Sequence, residues 1–224
     1  MAFSLFPGNQ NEQKSLRSLE TKILQQFGCE MFIYCSDAGP ASEDNRVLNH
    51  MGQRAFIVTQ SIKKLPAEDR TWALNGTGFK RLSDDTFVDI TSLSEDDKDQ
   101  LYYKDEPFTA KKLHQRLIIT YSSKYAAYQK AIRAEQISRA EKMAAKGSLK
   151  RQRKNPNDPA RFVNKAAVTK EGEKAKIHYH LDLDKIAEKE KYDGLCAVCT
   201  DLLNDDVTDI LKVSEGRLRT ALGP

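Results

Sequence analysis

Residues 31–39 read MFIYCSDAG, and this short stretch decides the class of fold. Residues 31–35 form an unbroken apolar run, which is typical of a strand covered on both faces of a sheet. Asp37 follows directly, and Gly39 belongs to a turn signal. Because ligands of open α/β sheets bind outside the carboxyl ends of the strands, Asp37 stands where a functional carboxylate is expected.

The segments on both sides of this strand alternate between helix and strand. Apolar spacing predicts a helix over residues 12–27, and Ser42 is a good N-cap for a second helix. Short apolar runs at residues 2–6 and 55–59 predict further strands. The resulting βαβαβ pattern indicates an α/β sheet.

The middle of the chain mixes helix and strand in a different pattern. Its predicted elements are a hairpin of residues 79–82 and 86–90, a strand at 117–121, a helix over 122–145 and a strand at 177–181. Helix, strand and helix follow at residues 184–192, 194–200 and 205–213. We therefore predict an α/β core over residues 1–62, an inserted mixed α+β subdomain over 63–182 and a return to the core over 183–224.

Charge is unevenly distributed along the chain. The 224 residues carry a formal net charge of +4. Residues 111–176 hold 18 basic and 5 acidic residues, a net charge of +13, so the remainder, with 18 basic and 27 acidic residues, carries −9. A basic segment in an acidic chain attracts polyanions, with nucleic acid first among them. A solvated basic helix without a partner is the alternative interpretation.

Composition and the N-terminus disfavour several classes of protein. No run of 18 apolar residues occurs, so a transmembrane helix is not expected. The opening MAFSLFPGNQ lacks the basic region of a secretory signal, and 4 cysteines without such a signal indicate a reducing compartment. We therefore expect a cytoplasmic protein. The sequence contains no dinucleotide-binding loop, no Walker loop and no nucleophile elbow.

Few residues have the spacing of a chemical site. Asp37, held at the end of a strand, suits a divalent ion such as Mg²⁺, although it could instead cap the following turn. Cys196 and Cys199 lack the second pair that a structural zinc site needs, so core cysteines are the preferred interpretation. His178 and His180 share one strand face and could bind a metal, but exposed strand histidines are preferred.

Two features of the basic segment suit contact with nucleic acid. Residues 150–154, KRQRK, are typical of an exposed loop that contacts phosphates. Tyr125 and Tyr128, set among lysines and arginines, could stack on bases. The preferred interpretation packs these tyrosines, Ile132 and Met143 inward, as the apolar side of an amphipathic helix.

Several stretches carry a resemblance to a known family when they are taken together and in order. They are residues 5–12 (LFPGNQNE), 36–39 (SDAG), 45–65 (NRVLNHMGQRAFIVTQSIKKL), 115–133 (QRLIITYSSKYAAYQKAIR), 154–162 (KNPNDPARF), 192–200 (YDGLCAVCT) and 210–212 (ILK). This ordered set resembles bacterial insertion-sequence transposases of the DDE type. The branch is that of the "insertion sequence four" family with a Tyr-Arg-Glu-Lys signature.

The resemblance implies an RNase H-like core in which Asp, Asp and Glu surround two Mg²⁺ ions. Such ions activate the attacking group and stabilise the leaving oxygen during DNA cleavage and strand transfer. Asp37 matches the second Asp, as a catalytic residue and metal ligand. The stretch between that Asp and the Glu is then the family's inserted subdomain, which fits the basic residues 111–176. The expected partner is DNA, at the transposon ends.

The same resemblance shows departures from the family. The family's first Asp lies on a strand before the one predicted at residues 2–6. Arg217 matches the signature, but Ser214 and Ala221 stand at its Tyr and Glu positions. We therefore expect residues 183–224 to lack the terminal helix that carries the family's Glu. Because one carboxylate cannot hold two Mg²⁺ ions in fixed geometry, we expect a fragment truncated at both ends and catalytically inactive.

Within such a fragment, the residues expected to contact DNA are Lys150, Arg151, Arg153, Lys154, Arg161 and Arg217. An intact transposase or a second copy of the chain is a further possible partner. A non-enzymatic nucleic-acid-binding protein that uses residues 111–176 is the main alternative. A small-molecule α/β protein with its site at residues 37–39 is a third hypothesis.

Overall fold

A computed structural model describes residues 12–28, 32–39, 41–51, 53–110, 112–147, 157–168 and 176–222. Its helices are α1 (Glu12–Phe27), α2 (Glu43–His50), α3 (Ala67–Leu74), α4 (Ser123–Ala145), α5 (Leu183–Glu190) and α6 (Val207–Leu222). The helices predicted over residues 12–27 and 122–145 are therefore confirmed. The strand predicted at residues 2–6 lies outside the described residues.

The strands of the described residues form a large sheet and a small ladder. They are β1 (Phe32–Ser36), β2 (Arg54–Thr59), β3 (Phe79–Arg81), β4 (Phe87–Val88), β5 (Leu101–Ala110), β6 (Leu113–Ser122), β7 (Val163–Val168), β8 (Lys176–Leu181) and β9 (Leu195–Thr200). The large sheet has the order β1-β2-β9-β6-β5-β3-β4, and β7 pairs with β8. The fold is mixed α/β, as predicted, with a mostly antiparallel sheet.

Strand β1 occupies one edge of this sheet among the described strands. It pairs with β2 in parallel, from Phe32 opposite Arg54 to Ser36 opposite Val58. Helix α2 connects the two strands, and the Ser42 side chain caps it by accepting from the Asn45 backbone N–H at 3.3 Å. Strand β9 runs antiparallel to β2 on its other side. The predicted α–β–α–β succession from residue 12 to residue 59 is confirmed.

Helices cover both faces of the sheet at its β1–β2–β9 end. On one face, Ile57, Ile118 and Val198 form an apolar cluster with three residues of α6, Val207, Ile210 and Leu211. Alternation along β2 turns Phe56 and Val58 to the opposite face, where α2 packs. Burial of Phe56, Ile57 and Val58 on both faces explains the apolar run at residues 55–59. Strand β1 is not buried on both faces as predicted, because Ile33 is 46% exposed.

The chain divides into two compact units. The first comprises residues 1–93, 100–121 and 196–224, and the second comprises residues 94–99 and 122–195. In the second unit, Ala140 of α4 packs with Phe162 and Val163. The boundaries predicted at residues 62 and 182 separate a core from a subdomain inserted into it. They stay predictions.

Two elements differ from their predicted extents. No strand was predicted over β5, because its sequence LYYKDEPFTA places four consecutive charged residues or proline in the middle. Lys104 is nevertheless buried there. Its ammonium group keeps hydrogen-bond partners in the interior, because it donates to the Trp72 and Asn75 carbonyl oxygens at 2.6 Å each. Helix α6 continues to residue 222, whereas the sequence predicted its end near residue 213.

Candidate functional site

Asp37 lies directly after the carboxyl end of β1, as the sequence predicted. Its side chain is exposed, and its backbone carbonyl accepts from the Ser36 hydroxyl at 3.2 Å. Because β1 and β2 are parallel, their carboxyl ends lie side by side at one end of the sheet, which we call the Asp37 edge. The carboxylate of Asp37 therefore stands at the edge where Gln60 follows β2.

A buried polar network lies next to this edge and was not anticipated from the sequence. The guanidinium of Arg46 donates to Gln60 Oε1 at 2.6 Å, to Gln115 Oε1 at 2.9 Å and to the Ala41 carbonyl oxygen at 3.3 Å. Arg46 is only 5% exposed. These bonds tie α2, β6 and the end of β2 together on the face of the sheet that α2 covers.

The described residues do not bring metal ligands together around Asp37. They contain no group of three His, Cys, Asp or Glu side chains that could hold a metal ion. Asp201 follows β9 and lies at the other end of β2, because its Oδ1 accepts from the Phe56 N–H at 2.8 Å. Its Oδ2 lies 2.8 Å from His50 Nδ1. The residues seen at the Asp37 edge thus do not fit a two-metal centre.

Most of the predicted DNA-contacting side chains fall outside the described residues. Lys150, Arg151, Arg153 and Lys154 all lie in the undescribed residues 148–156. Arg217 belongs to α6, but its side chain is outside the described part. Their predicted contacts with phosphate therefore stay predictions.

Arg161 is the predicted contact whose side chain the structure describes. It donates to Gln136 Oε1 of α4, and its guanidinium carbon lies 4.6 Å from the centre of the Phe162 ring. Burial lowers the pKa of this guanidinium. The contacts hold Arg161 against α4, so in the free protein it positions that helix.

Helix α4 is fixed in the second unit by polar groups on one side. The guanidinium of Arg133 donates to both carboxylate oxygens of Asp193, at 2.6 and 2.5 Å, and lies 3.4 Å from Glu190. The hydrogen bonds to Asp193 are the main reason why the pKa of Arg133 is raised. Gln129 accepts from the Gly194 N–H at 2.8 Å. Charged and amide side chains thus make up much of the inward face of α4.

The predicted inward packing of the α4 tyrosines is wrong. Tyr125 is 39% exposed, Tyr128 is 61% exposed and Ile132 is 40% exposed. The two rings stack on each other, with centroids 6.3 Å apart and planes inclined by 21°. The inward face holds Arg133, Gln136 and Ala140, and Met143 packs inward beside them, as predicted. Tyr125, Tyr128 and Ile132 lie on the exposed side of the helix.

The cysteines and histidines follow their predictions only in part. Cys199 is buried, and this burial raises the pKa of its thiol to about 11, but Cys196 is exposed rather than in the core. His178 and His180 of β8 are exposed on one face of the β7–β8 ladder, as expected of strand histidines. Neither pair belongs to a group of metal ligands among the described residues.

Comparison with known proteins adds no relative to this geometry. No protein-family model matches the chain, and neither does any curated protein or solved structure. No helix among the described residues is both long and apolar enough to cross a membrane.

Proposed function

We propose that the chain derives from a DDE-type DNA transposase with an RNase H-like core, and that it binds DNA without cutting it. The observation that carries this proposal is the position of Asp37. It follows the carboxyl end of β1, in a parallel pair of strands, at the exposed edge of an α/β layer. That is where the resemblance expects the second catalytic Asp.

The packing of α6 supports the same origin. This helix contacts both β1 and β2 and contains position 221, which the resemblance aligns with the catalytic Glu. The helix that contains this position therefore packs on β1, the strand that leads to Asp37. Ala221 stands there in place of a carboxylate.

The same residues support an inactive protein. Two-metal phosphoryl transfer requires several carboxylates that hold both ions in fixed geometry. The described residues offer no such group around Asp37, and alanine cannot ligate a metal. We therefore assign no metal-dependent step to this chain.

DNA binding is the activity that remains, and the basic residues 111–176 would supply it. Their net charge of +13 lies in a chain whose other residues carry −9. Phosphate contacts by lysine and arginine release counterions from DNA, so binding driven by them weakens steeply as salt rises. A nucleic-acid-binding protein unrelated to transposases would show the same property.

Salt-dependent binding of the full chain to a labelled DNA duplex tests the proposal. We expect affinity to fall at least 100-fold between about 50 and 200 mM salt. Replacing Lys150, Arg151, Arg153 and Lys154 with alanine should flatten the log–log slope by about 2 to 4. A matched control replaces the exposed Lys63 and Lys64, which lie outside the basic segment. Absence of binding at low salt, or an unchanged slope in the quadruple variant, would refute the proposal.

The nucleotide sequence around the reading frame separates the two origins. A transposase origin predicts an Asp-bearing strand encoded upstream in frame. It also predicts Tyr-x-x-Arg-x-x-x-Glu in a shifted frame downstream. Unrelated flanking sequence would leave a nucleic-acid-binding protein of other descent and would remove the inherited role of Asp37.

A further inference from the structure

We infer that the outer face of α4 is a stacking site for unpaired DNA bases. The inference rests on the proposed DNA binding and adds to it a substrate class and a surface. Two aromatic rings and an isoleucine form an exposed stripe there, at Tyr125, Tyr128 and Ile132. Their spacing of three and four residues places them on one side of the helix.

The orientation of this stripe is set from the opposite side of the helix. Arg133 is held by Asp193, and Gln136 is held by Arg161. Turning the tyrosines inward would break these bonds and leave Arg133 or Asp193 without its ionic partner, which is costly for groups with little exposure. The outward orientation of the rings is therefore fixed by contacts within the second unit.

The charge around the stripe favours a polyanion as its occupant. Lys124, which is 82% exposed, precedes Tyr125, and its contact with Asp99 is a weak surface pair at 4.0 Å. Further along the helix, Glu135 is paired with Arg139 at 3.2 Å, whereas Lys142 and Lys146 are exposed. An apolar partner surface would gain nothing from these lysines, but a DNA strand would place phosphates beside them.

The stacked tyrosines favour unpaired bases over a duplex. Every base has an aromatic face that can stack on tyrosine, but in a duplex that face is covered by the neighbouring base pair. Tyr125 and Tyr128 already lie nearly parallel, so a base can extend their stack at the more exposed Tyr128 ring. The lysines along the helix, which spans about 34 Å from its 23 residues, can then follow the strand's backbone.

The test measures binding of the full chain to a labelled single strand and to the duplex of the same sequence. Replacing Tyr125 and Tyr128 with alanine should weaken single-strand binding about 10-fold or more. Duplex binding should change less than about threefold, because Lys150, Arg151, Arg153 and Lys154 are unchanged. Phenylalanine at both positions keeps the rings and should restore single-strand affinity. Phe87→Ala removes a ring that is 72% exposed in the first unit and serves as the control.

The possible failures are distinguishable. If the wild type binds duplex DNA but the alanine variant binds the single strand as tightly as the wild type does, this inference is wrong and the proposed function stands. If the wild type binds neither DNA, both are wrong. If the alanine variant loses self-association in sedimentation velocity while its DNA binding is unchanged, the face contacts protein and the inference is overturned. Quenching of 2-aminopurine in the bound strand, lost in the alanine variant only, would support stacking directly.

Discussion

Strand β2 and helix α4 belong to different units of the chain, and different kinds of contact hold them in place. In β2, Phe56, Ile57 and Val58 are at most 1% exposed, and Ile57 lies in an apolar cluster with Ile118 and Val198. In α4, the buried positions include Arg133 and Gln136, whose partners Asp193 and Arg161 lie 60 and 25 residues away in sequence. Apolar burial is not directional, so β2 tolerates many neighbours, whereas α4 depends on particular pairs.

The two kinds of contact affect stability differently when they are lost. Removing a buried apolar side chain costs its transfer free energy and leaves a cavity. Removing one member of a buried ion pair leaves the other member's charge without compensation. Substitutions in the two regions can therefore separate their contributions to stability.

The largest expected effect is at β2. Phe56→Ala should lower the free energy of unfolding by about 4 kcal/mol, because Phe56 is fully buried and leaves a large cavity. Fluorescence of Trp72, the one tryptophan of the sequence, reports unfolding of the first unit in urea. Phe87→Ala removes the same side chain at an exposed position and should cost less than about 1 kcal/mol. Equal losses in the two variants would contradict the role of burial.

A smaller effect is expected at α4. Arg133→Met should destabilise the second unit by about 3 kcal/mol, because Asp193 then keeps a partly buried charge without its cation. Amide hydrogen exchange in α4 measures this loss. Arg139→Met is the matched control, since its pair with Glu135 is exposed and worth less than about 0.5 kcal/mol. Protection of α4 that is the same in the wild type and in Arg133→Met would show that polar pairing does not hold the helix.

The third effect depends on pH and concerns Lys104. Its ammonium group is buried, and its described hydrogen bonds go to backbone carbonyl oxygens. Burial lowers the pKa of Lys104 from 10.5 to about 8. The folded protein therefore binds this proton less tightly than the unfolded chain does, so its burial penalty is complete below pH 8 and vanishes above about pH 10.5. Between these values, wild-type stability should rise relative to Lys104→Met by up to about 3 kcal/mol. Urea denaturation of both proteins across this range measures the difference, and parallel pH curves would contradict it.

The ends of α4 were predictable, but its orientation was not. Ser122 caps the helix by accepting from the Tyr125 N–H at 3.3 Å, and Gly147 ends it with φ of +63°, a conformation that favours glycine. Both are local signals. Which side faces inward depends on Asp193 and Arg161, whose positions relative to α4 only the folded chain defines.

The candidate site shows the same division. Asp37 was predicted at the end of a strand because an apolar run and a turn are local patterns. The Arg46 network was not predicted, because Gln60, which follows β2, and Gln115 of β6 become neighbours of α2 only in the sheet. Arg161 was predicted to contact DNA, and its contacts with α4 could not be seen from its position in a basic segment.

Taken by itself, the sequence determined the alternation of helix and strand around Asp37, the ends of α4 and the concentration of basic charge in residues 111–176. These properties follow from patterns within a few residues or from simple counting. The tertiary structure decided that β2 has β9 as its second neighbour, that Lys104 is buried and that the tyrosines of α4 face solvent. Each of these depends on partners distant in the chain, and the energy of a buried polar or charged group is set by such partners rather than by its own sequence neighbours.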